Sequence, residues 1–489
     1  MTRIDRRGVL KMFGAAAASL ALARIAPGAA APKRKLNFVF FLIDDMGWTD
    51  AGCYGSTLYE TPNIDKLSAS GMRFTDAYAA CPVCSPTRAS IMAGKYPARL
   101  KITNYGSKPL PPGEVTMAQA LKQAGYTTFF AGKWHVGGKP QHWPDKMGFD
   151  INVAGNGTGQ PRGGYFSPYN NPQLPDGPKG EYLTERLTDE SLKFLDAVGS
   201  KPFLLYLSHY AVHTPLQGKA ELVRKYQAKI DARPVKGPLL RDEGPRASTG
   251  LVQRNAAFAA MVHSVDESVG RVMKKLDRLG LADNTAVIFM SDNGGLSTLL
   301  KGRGLAKNPP TCNLPLRAGK GWLYEGGIRE PMIIRWPGVV TPGSTCAVPV
   351  TSTDFYPTML EMADLPPRPR QHCDGLSIVP LLKGGKRLDR KAIYWHYPHN
   401  HGSGSVPSGA VRAGPWKLIA WYGRDRIELF NLADDIGEKE DLAGAHPAKA
   451  RELHEMLKTW RKQVGAVLPS KSGRRDSAAG KKKRRNAKP

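Results

Sequence analysis

Beyond its N-terminal stretch the chain has no long apolar run. No later segment approaches the ~20 consecutive apolar residues a membrane-spanning helix needs, so the mature protein is expected to be soluble. Cysteine is scarce as well. The six cysteines, at 53, 81, 84, 312, 346 and 373, are too scattered along 489 residues for a disulfide scaffold. Acidic side chains are outnumbered, 42 against 70 basic ones, for a net charge of +28. Such an imbalance favours anionic ligands over cationic ones, or else reflects a solvated basic surface. There is no internal repeat, which sets aside repeat architectures.

Part of the charge lies at the two ends. Residues 1–31 carry +4 and residues 471–489 carry +8, leaving +16 for the body. The opening "TRIDRRGVLKMFGAAAASLALARIAPGAAAPK" has a charged start, an Ala-rich apolar stretch and a small-residue end, the layout of a secretory signal. Its "RRGVLK" resembles a twin-arginine export signal, which implies a bacterial protein handled by the twin-arginine machinery and placed in the periplasm or outside the cell. The tail "KSGRRDSAAGKKKRRNAKP" is expected to be disordered and solvated, with no specific nucleic acid as its partner.

Between these ends, apolar runs alternate with helical patterns, the signal for an α/β fold with a large, mostly parallel sheet sandwiched by helices. "LNFVFFLI" (36–43) is too continuously apolar for a half-exposed strand and reads as a buried one. Similar runs stand at 127–130, 203–208, 286–291 and 332–336. Helices are expected at 61–71 and 116–125, each opened by a Thr cap and closed by Gly, and over 253–280. The Pro-rich "LPPRPRQHCDG" (365–375) reads as a seam between domains. Past it, 410–432 alternates like antiparallel strands around a "GRD" turn, and a helix over 447–464 closes the globular part. The expected organisation is therefore a signal at 1–31, a catalytic domain at 32–364, a smaller α+β subdomain with an antiparallel sheet at 365–468, and a basic tail at 469–489.

In open parallel sheets ligands collect beyond the carboxyl ends of the strands. There the sequence places Asp44 and Asp45, Asp292 and Asn293, Lys133 and His135, and His209 and His213. The acidic pairs form a hard-oxygen set suited to Ca²⁺, and less well to Mg²⁺; each pair alone would equally suit a turn or a helix cap. Three clustered carboxylates would repel one another without a cation. "CPVCSPTRAS" (81–90) offers two cysteines three apart. With Ser85 as cap, Pro86 at the first helical position and Gly94 as terminator, a short helix would hold Cys84 at its positive end, a place that binds anions and lowers thiol pKa values, with Arg88 one turn on.

These residues resemble the sulfatase family. "CSPTR" (84–88), continuing "ASIMAGKYPARL", looks like the sulfatase signature Cys-x-Pro-x-Arg. "NFVFFLIDDMGWTDAGCYG", "TPNIDKLSASGMRFTDAY", "GYTTFFAGKWHVGG", "HTP" (213–215), "MSDNGG" and "GKGWLYEGGIREPMIIRWPG" (319–338) resemble sulfatase segments in the expected order, covering roughly 36–442. The resemblance implies an alkaline phosphatase-like fold and a sulfuric ester hydrolase. It implies that Cys84 is oxidised to formylglycine before folding, by a formylglycine-generating or anaerobic sulfatase-maturating enzyme. Asp44, Asp45, Asp292 and Asn293, with the modified Cys84, would hold Ca²⁺. One hydroxyl of the hydrated aldehyde, made more acidic by the metal and Arg88, would attack sulfur. His213 and Lys320 would stabilise or protonate the departing alcohol, and Lys133 would bind the formylglycine hydroxyl and a sulfate oxygen. His135 would help deprotonate the second hydroxyl, which expels sulfate. His396, His399 and His401, in "WHYPHNHGSG" (395–404), are candidates for the lining of the substrate pocket, a plain surface loop being the alternative. His209 reads as a supporting residue and His263 as a structural one.

The substrate class expected is a sulfated small molecule or carbohydrate. Other readings are a phosphonate or phosphate ester hydrolase of the same superfamily, a thiol–disulfide protein using "CPVC", and a binding protein on a catalytically dead fold. The thioredoxin-like layout a redox pair needs is missing, and every expected catalytic position is filled.

Overall fold

Seven consecutive residues of the strand Asn37–Ile43 are buried, because helices cover it on both sides. The computed structural model describes residues 34–106, 108–302 and 304–469; the proposed signal and all but the first residue of the proposed tail lie outside them. In chain order the strands are β1 (Asn37–Ile43), β2 (Met72–Tyr78), β3 (Thr127–Gly132), β4 (Ile151–Val153) and β5 (Phe203–Ser208). Next come β6 (Leu240–Glu243), β7 (Ala247–Gly250), β8 (Thr285–Ser291), β9 (Thr298–Leu300) and β10 (Arg329–Arg335). The last are β11 (Ser344–Cys346), β12 (Val350–Thr351), β13 (Ile393–Tyr397), β14 (Ser408–Ala413), β15 (Trp416–Trp421) and β16 (Arg426–Asn431).

Nine strands make the large sheet, in the order β11-β2-β10-β8-β1-β5-β3-β4 with β12 beside β2. β8, β1, β5, β3 and β4 run parallel. β10, read from sequence only as another buried run, is antiparallel to both its neighbours. Side chains alternate along β1: Val39, Phe41 and Ile43 enter one apolar layer, Phe38, Phe40 and Leu42 the other. The first layer is closed by the helices Pro62–Ala69, Leu183–Ala197, Ala220–Asp231 and Ala256–Arg278. The second is closed by Cys84–Ala93, Met117–Gln123, Phe355–Met362 and Val379–Leu382. Truncating a fully buried residue such as Phe41 to Ala would cost about 3–5 kcal/mol.

The two Thr-capped helices differ from expectation at one end. Thr116 forms a full capping box with Gln119. Thr61 does not cap; its hydroxyl accepts from the Gly52 amide and donates to Asp65. Asn255 caps the long helix by accepting from the Phe258 amide. β13 to β16 form the expected antiparallel sheet, and the helix Pro447–Gln463 packs on it through Leu453, Leu457 and Trp460. β6, β7 and β9 form a further small sheet.

Candidate active site

Strand register sets the site. Ile43 pairs with Ser291, and Ser208 with Gly132, so Asp44, Asp292, His209 and Lys133 all emerge from one end of the sheet. Asp45 has a left-handed backbone, φ 62°, which turns its carboxylate beside that of Asp44. Asp44, Asp45, Asp292 and Asn293 are all buried.

The helix carrying the cysteine begins at Cys84 itself, with Val83 as an extended N-cap that offers no side-chain bond. Ser85 is therefore not the cap; its hydroxyl is 3.3 Å from the Gly106 backbone. Pro86 falls within the first turn, where its missing N–H costs no hydrogen bond, and Gly94 ends the helix at φ 66°. Cys84 Sγ and carboxylate oxygens of Asp44 and Asp292 all lie within 4.8 Å of one another, and oxygens of Asp44 and Asp45 do so with His213.

Basic groups close around the acids. Arg88 donates from Nε to Asp292 Oδ2 at 2.7 Å, and through NH1 to Ser208 Oγ and the Lys133 carbonyl. Lys133 Nζ is 2.5 Å from Asp44 Oδ2, and Lys320 Nζ is 2.6 Å from Asp45 Oδ1. Asn293 Nδ2 donates to Asp45 Oδ1 at 2.7 Å. Asp44 Oδ1, Asn293 Oδ1 and Arg88 NH2, by contrast, are buried without a hydrogen-bond partner. Unpartnered buried oxygens are costly, and here they belong to a donor set of oxygens. The three carboxylates are formally balanced by three basic side chains, so their mutual repulsion is already offset without a cation. What is missing is a partner for the free oxygens, and a hard cation fits them.

Burial raises the Asp44 carboxyl to about 8, outweighing Lys133. At Asp45 burial also pulls upward, but Lys320, with Lys133 further off, holds the group well below the ordinary carboxylate range. Burial, with Lys320, lowers His213 to about 3; burial, with Lys133 and Arg88, lowers His135 well below the ordinary value. Both imidazoles are neutral near pH 7. His213 Nδ1 lies 2.7 Å from the Thr214 carbonyl and must donate to it, leaving the Nε2 lone pair facing Asp45 at 3.7 Å. Burial also raises the Cys84 thiol against the pull of Lys133 and Lys320, where a helix N-terminus alone would have lowered it. Cys81 is raised too, and neither is in a disulfide. Two protonated, buried thiols are not a redox pair.

The C-terminal histidines divide. His399 Nε2 is 2.9 Å from Thr103 Oγ1, and the His401 ring meets Tyr105 edge-on at 5.8 Å. His401 also packs on the backbone next to Lys320, where a Cβ at Gly321 would fall 2.2 Å from its Nδ1. His396 does not join them: its ring nitrogens are taken by the Tyr422 hydroxyl and the Val467 carbonyl. His209 turns to Ser268 and His263 to Tyr226, both outside the cluster. A cavity of about 770 Å³, lined by Trp48, Arg233 and Arg254 among others, contains none of the clustered residues.

Sequence reasoning passed over Ser208, Ser291 and Asn313. Ser208 carries Arg88, Ser291 accepts from the Met46 amide, and Asn313 Nδ2 binds the Gly295, Ala318 and Gly326 carbonyls. The serines end β5 and β8, so the strand-end argument reaches them. Asn313 sits in irregular chain with no signal.

A large, mostly parallel sheet with carboxylates at its strand ends and a ring of cations around one helix terminus suits the binding and cleavage of anionic esters. The Sulfatase family model matches residues 36–365, and one described as N-sulphoglucosamine sulphohydrolase, C-terminal, matches residues 318–463. The chain is 31% identical over 471 residues to N-acetylgalactosamine-6-sulfatase of Mus musculus, covering 89% of this chain and 81% of that protein. It is 31% identical over 521 residues to a sulfatase of Formosa agariphila, covering 87% and 89%. Among solved structures, Ps i-CgsB in complex with k-i-k-neocarrahexaose is 29% identical with a TM-score of 0.74, covering 93% of this chain and 98% of that one. The chain belongs to the sulfatase family. It is a sulfuric ester hydrolase, and family membership implies metal use, for which the Asp44–Asp45–Asp292 cluster is the candidate place.

Proposed function

We propose that the enzyme removes sulfate from a sulfated carbohydrate, using formylglycine made from Cys84 and a Ca²⁺ held by Asp44, Asp45, Asp292 and Asn293. The observation that carries this reading is Cys84 at the head of its helix, within one small cluster with Asp44 and Asp292. The all-oxygen donor set suits Ca²⁺ better than Mg²⁺, which demands stricter octahedral geometry. Bound there, the ion supplies Lewis-acid polarisation and makes a nearby hydroxyl more acidic. Hydrated formylglycine supplies two hydroxyls on one carbon, one to attack sulfur and one to release sulfate by C–O cleavage.

The side chains divide the remaining work. Arg88 Nη2, which makes no hydrogen bond of its own and faces Asp44 Oδ1 only at 3.9 Å, would donate to sulfate oxygens, as would Lys133. Lys320, kept cationic by Asp45, carries the proton best placed for the departing alcohol oxygen; neutral His213, its Nδ1–H fixed on Thr214, orients that region through Nε2. His135 is neutral with Nδ1 unpartnered, fit to accept the proton of the second hydroxyl. Cys84 is 3% exposed, so a maturation enzyme would have to act before folding. The names of two relatives support a saccharide substrate. Export through the twin-arginine signal at residues 1–31 is part of the same proposal.

Rates on matched aryl sulfate and aryl phosphate esters, together with sulfated oligosaccharides, test the reading. Sulfate should be strongly preferred, with desulfated sugar as product. A phosphate preference would overturn it in favour of the phosphonate or phosphate hydrolase reading.

A further inference from the structure

On the other side of the loop that carries Lys320 lies a recess of about 130 Å³ with an unusual lining. Its floor is aromatic: Trp322 meets Trp421 edge-on at 6.3 Å, and Arg317 lies 3.9 Å above the Tyr324 ring. Around it stand Arg246, Arg317, Arg424 and Arg426. Two of the four are matched by acids. Arg317 pairs with Glu243, an acid that also lines the recess, at 2.8 Å, and Arg426 pairs with Glu428 at 2.6 Å. Arg246 and Arg424 are exposed and make no ion pair among the described residues. Asp425, between Arg424 and Arg426 in sequence, does not line the recess.

None of the clustered residues lines the recess, but it shares a chain segment with Lys320. Trp322 is two residues from Lys320, a separation of at most about 7 Å along the chain. The Gly321 amide donates to the Pro82 carbonyl at 2.8 Å, just ahead of Cys84, and Trp322 Nε1 donates to the Ser403 carbonyl in the loop that carries His401. The recess thus lies one short chain step beyond Lys320, and a saccharide with one sulfate at Cys84 would have to extend past the Lys320–Trp322 turn to reach it. Guanidinium groups bind sulfate through paired N–H donors, and the π face of an indole suits the C–H face of a sugar ring. The volume holds a charged substituent, not a whole oligosaccharide.

We propose that this recess is a subsite for a second sulfate group, carried on a ring next to the one being desulfated. The proposal rests on the saccharide reading above and adds a preference for densely sulfated chains.

The test uses a tetrasaccharide sulfated on two neighbouring rings, the same tetrasaccharide bearing only the reactive sulfate, and an aryl sulfate. Wild type should favour the doubly sulfated tetrasaccharide over the singly sulfated one by about tenfold in kcat/KM at low salt, and less as salt rises. The R246A/R424A double variant should bring that ratio close to one. A charge-matched control on distant helices, K193A/K458A, should keep it. A ratio retained in R246A/R424A, or lost equally in the control, overturns the subsite alone. Wild type that turns over the aryl sulfate but neither tetrasaccharide overturns the saccharide reading, and the subsite with it.

Discussion

Two buried charge clusters flank the segment 318–330, each built of three acids and three bases, and they are finished differently. In the first, Asp44, Asp45 and Asp292 face Arg88, Lys133 and Lys320. In the second, Asp76, Glu325 and Glu438 face Arg329, Arg412 and Lys417. The second is closed. Tyr78 and Lys417 bind Glu325, the Glu325 amide donates to Glu438 Oε2 at 2.6 Å, and Lys417 faces Glu438 Oε1 at 2.8 Å as an ion pair. The first is looser: Asn293 Oδ1 has no hydrogen-bond partner, and Asp44 Oδ1 and Arg88 Nη2 make no hydrogen bond and face each other only at 3.9 Å. Equal formal charge thus yields a lock between the large and small sheets in one place and a receptive site in the other. In the second cluster the contacts are close, down to the 2.8 Å ion pair of Lys417 with Glu438 Oε1; in the first, oxygens at the strand ends are left open to a ligand.

Substitutions should separate the two clusters, beginning with the largest effect. Asp44→Asn should lower kcat/KM on an aryl sulfate by well over ~100-fold, more than loss of an outer-shell partner costs at a metal site. The metal-free variant should lose less stability than Lys417→Met does, because burial already raises the Asp44 carboxyl and Asn keeps its shape, although Lys133 loses its ion-pair partner. Lys417→Met should do the reverse. It leaves Glu325 and Glu438 facing each other without their shared cation and should cost about 3–5 kcal/mol in denaturant unfolding.

Asp50 offers a third, smaller contrast: a buried carboxylate met by neutral donors only, from Thr311, Gly47 and Gln253. Burial raises it to about 7, against roughly 3.9 in an unfolded chain. Between those values the folded state keeps a proton the unfolded state has lost, so this group's contribution to stability falls as pH rises from about 4 to about 7. Asp50→Asn should flatten that decline by up to about 1 kcal/mol per pH unit, read from urea unfolding across the window.

Much of the site's frame was legible because strand ends are legible. Continuous apolar runs marked β1, β3, β5 and β8, and the polar residues just past them had to lie at one edge of a parallel sheet. The reversal of β10 was not legible, since an apolar run carries no direction. Lys320 comes from irregular chain and was indicated only by family resemblance; its approach to Asp45 depends on packing across 275 positions. The pairing of each acid with its own base was equally hidden, and with it the offset of the expected repulsion. His396 shows the limit of reading a loop by composition: it belongs to β13, where strand pairing turns it toward Tyr422 rather than toward His401 and the Gly321 backbone.

The most direct test is the mass of the tryptic peptide 74–88, FTDAYAACPVCSPTR, from active enzyme purified from its native host. The account predicts that residue 84 has lost its sulfur, carries an aldehyde or its hydrate, and that the converted fraction tracks specific activity, while Cys81 keeps its thiol. Fully active enzyme with an intact thiol at Cys84 would contradict it.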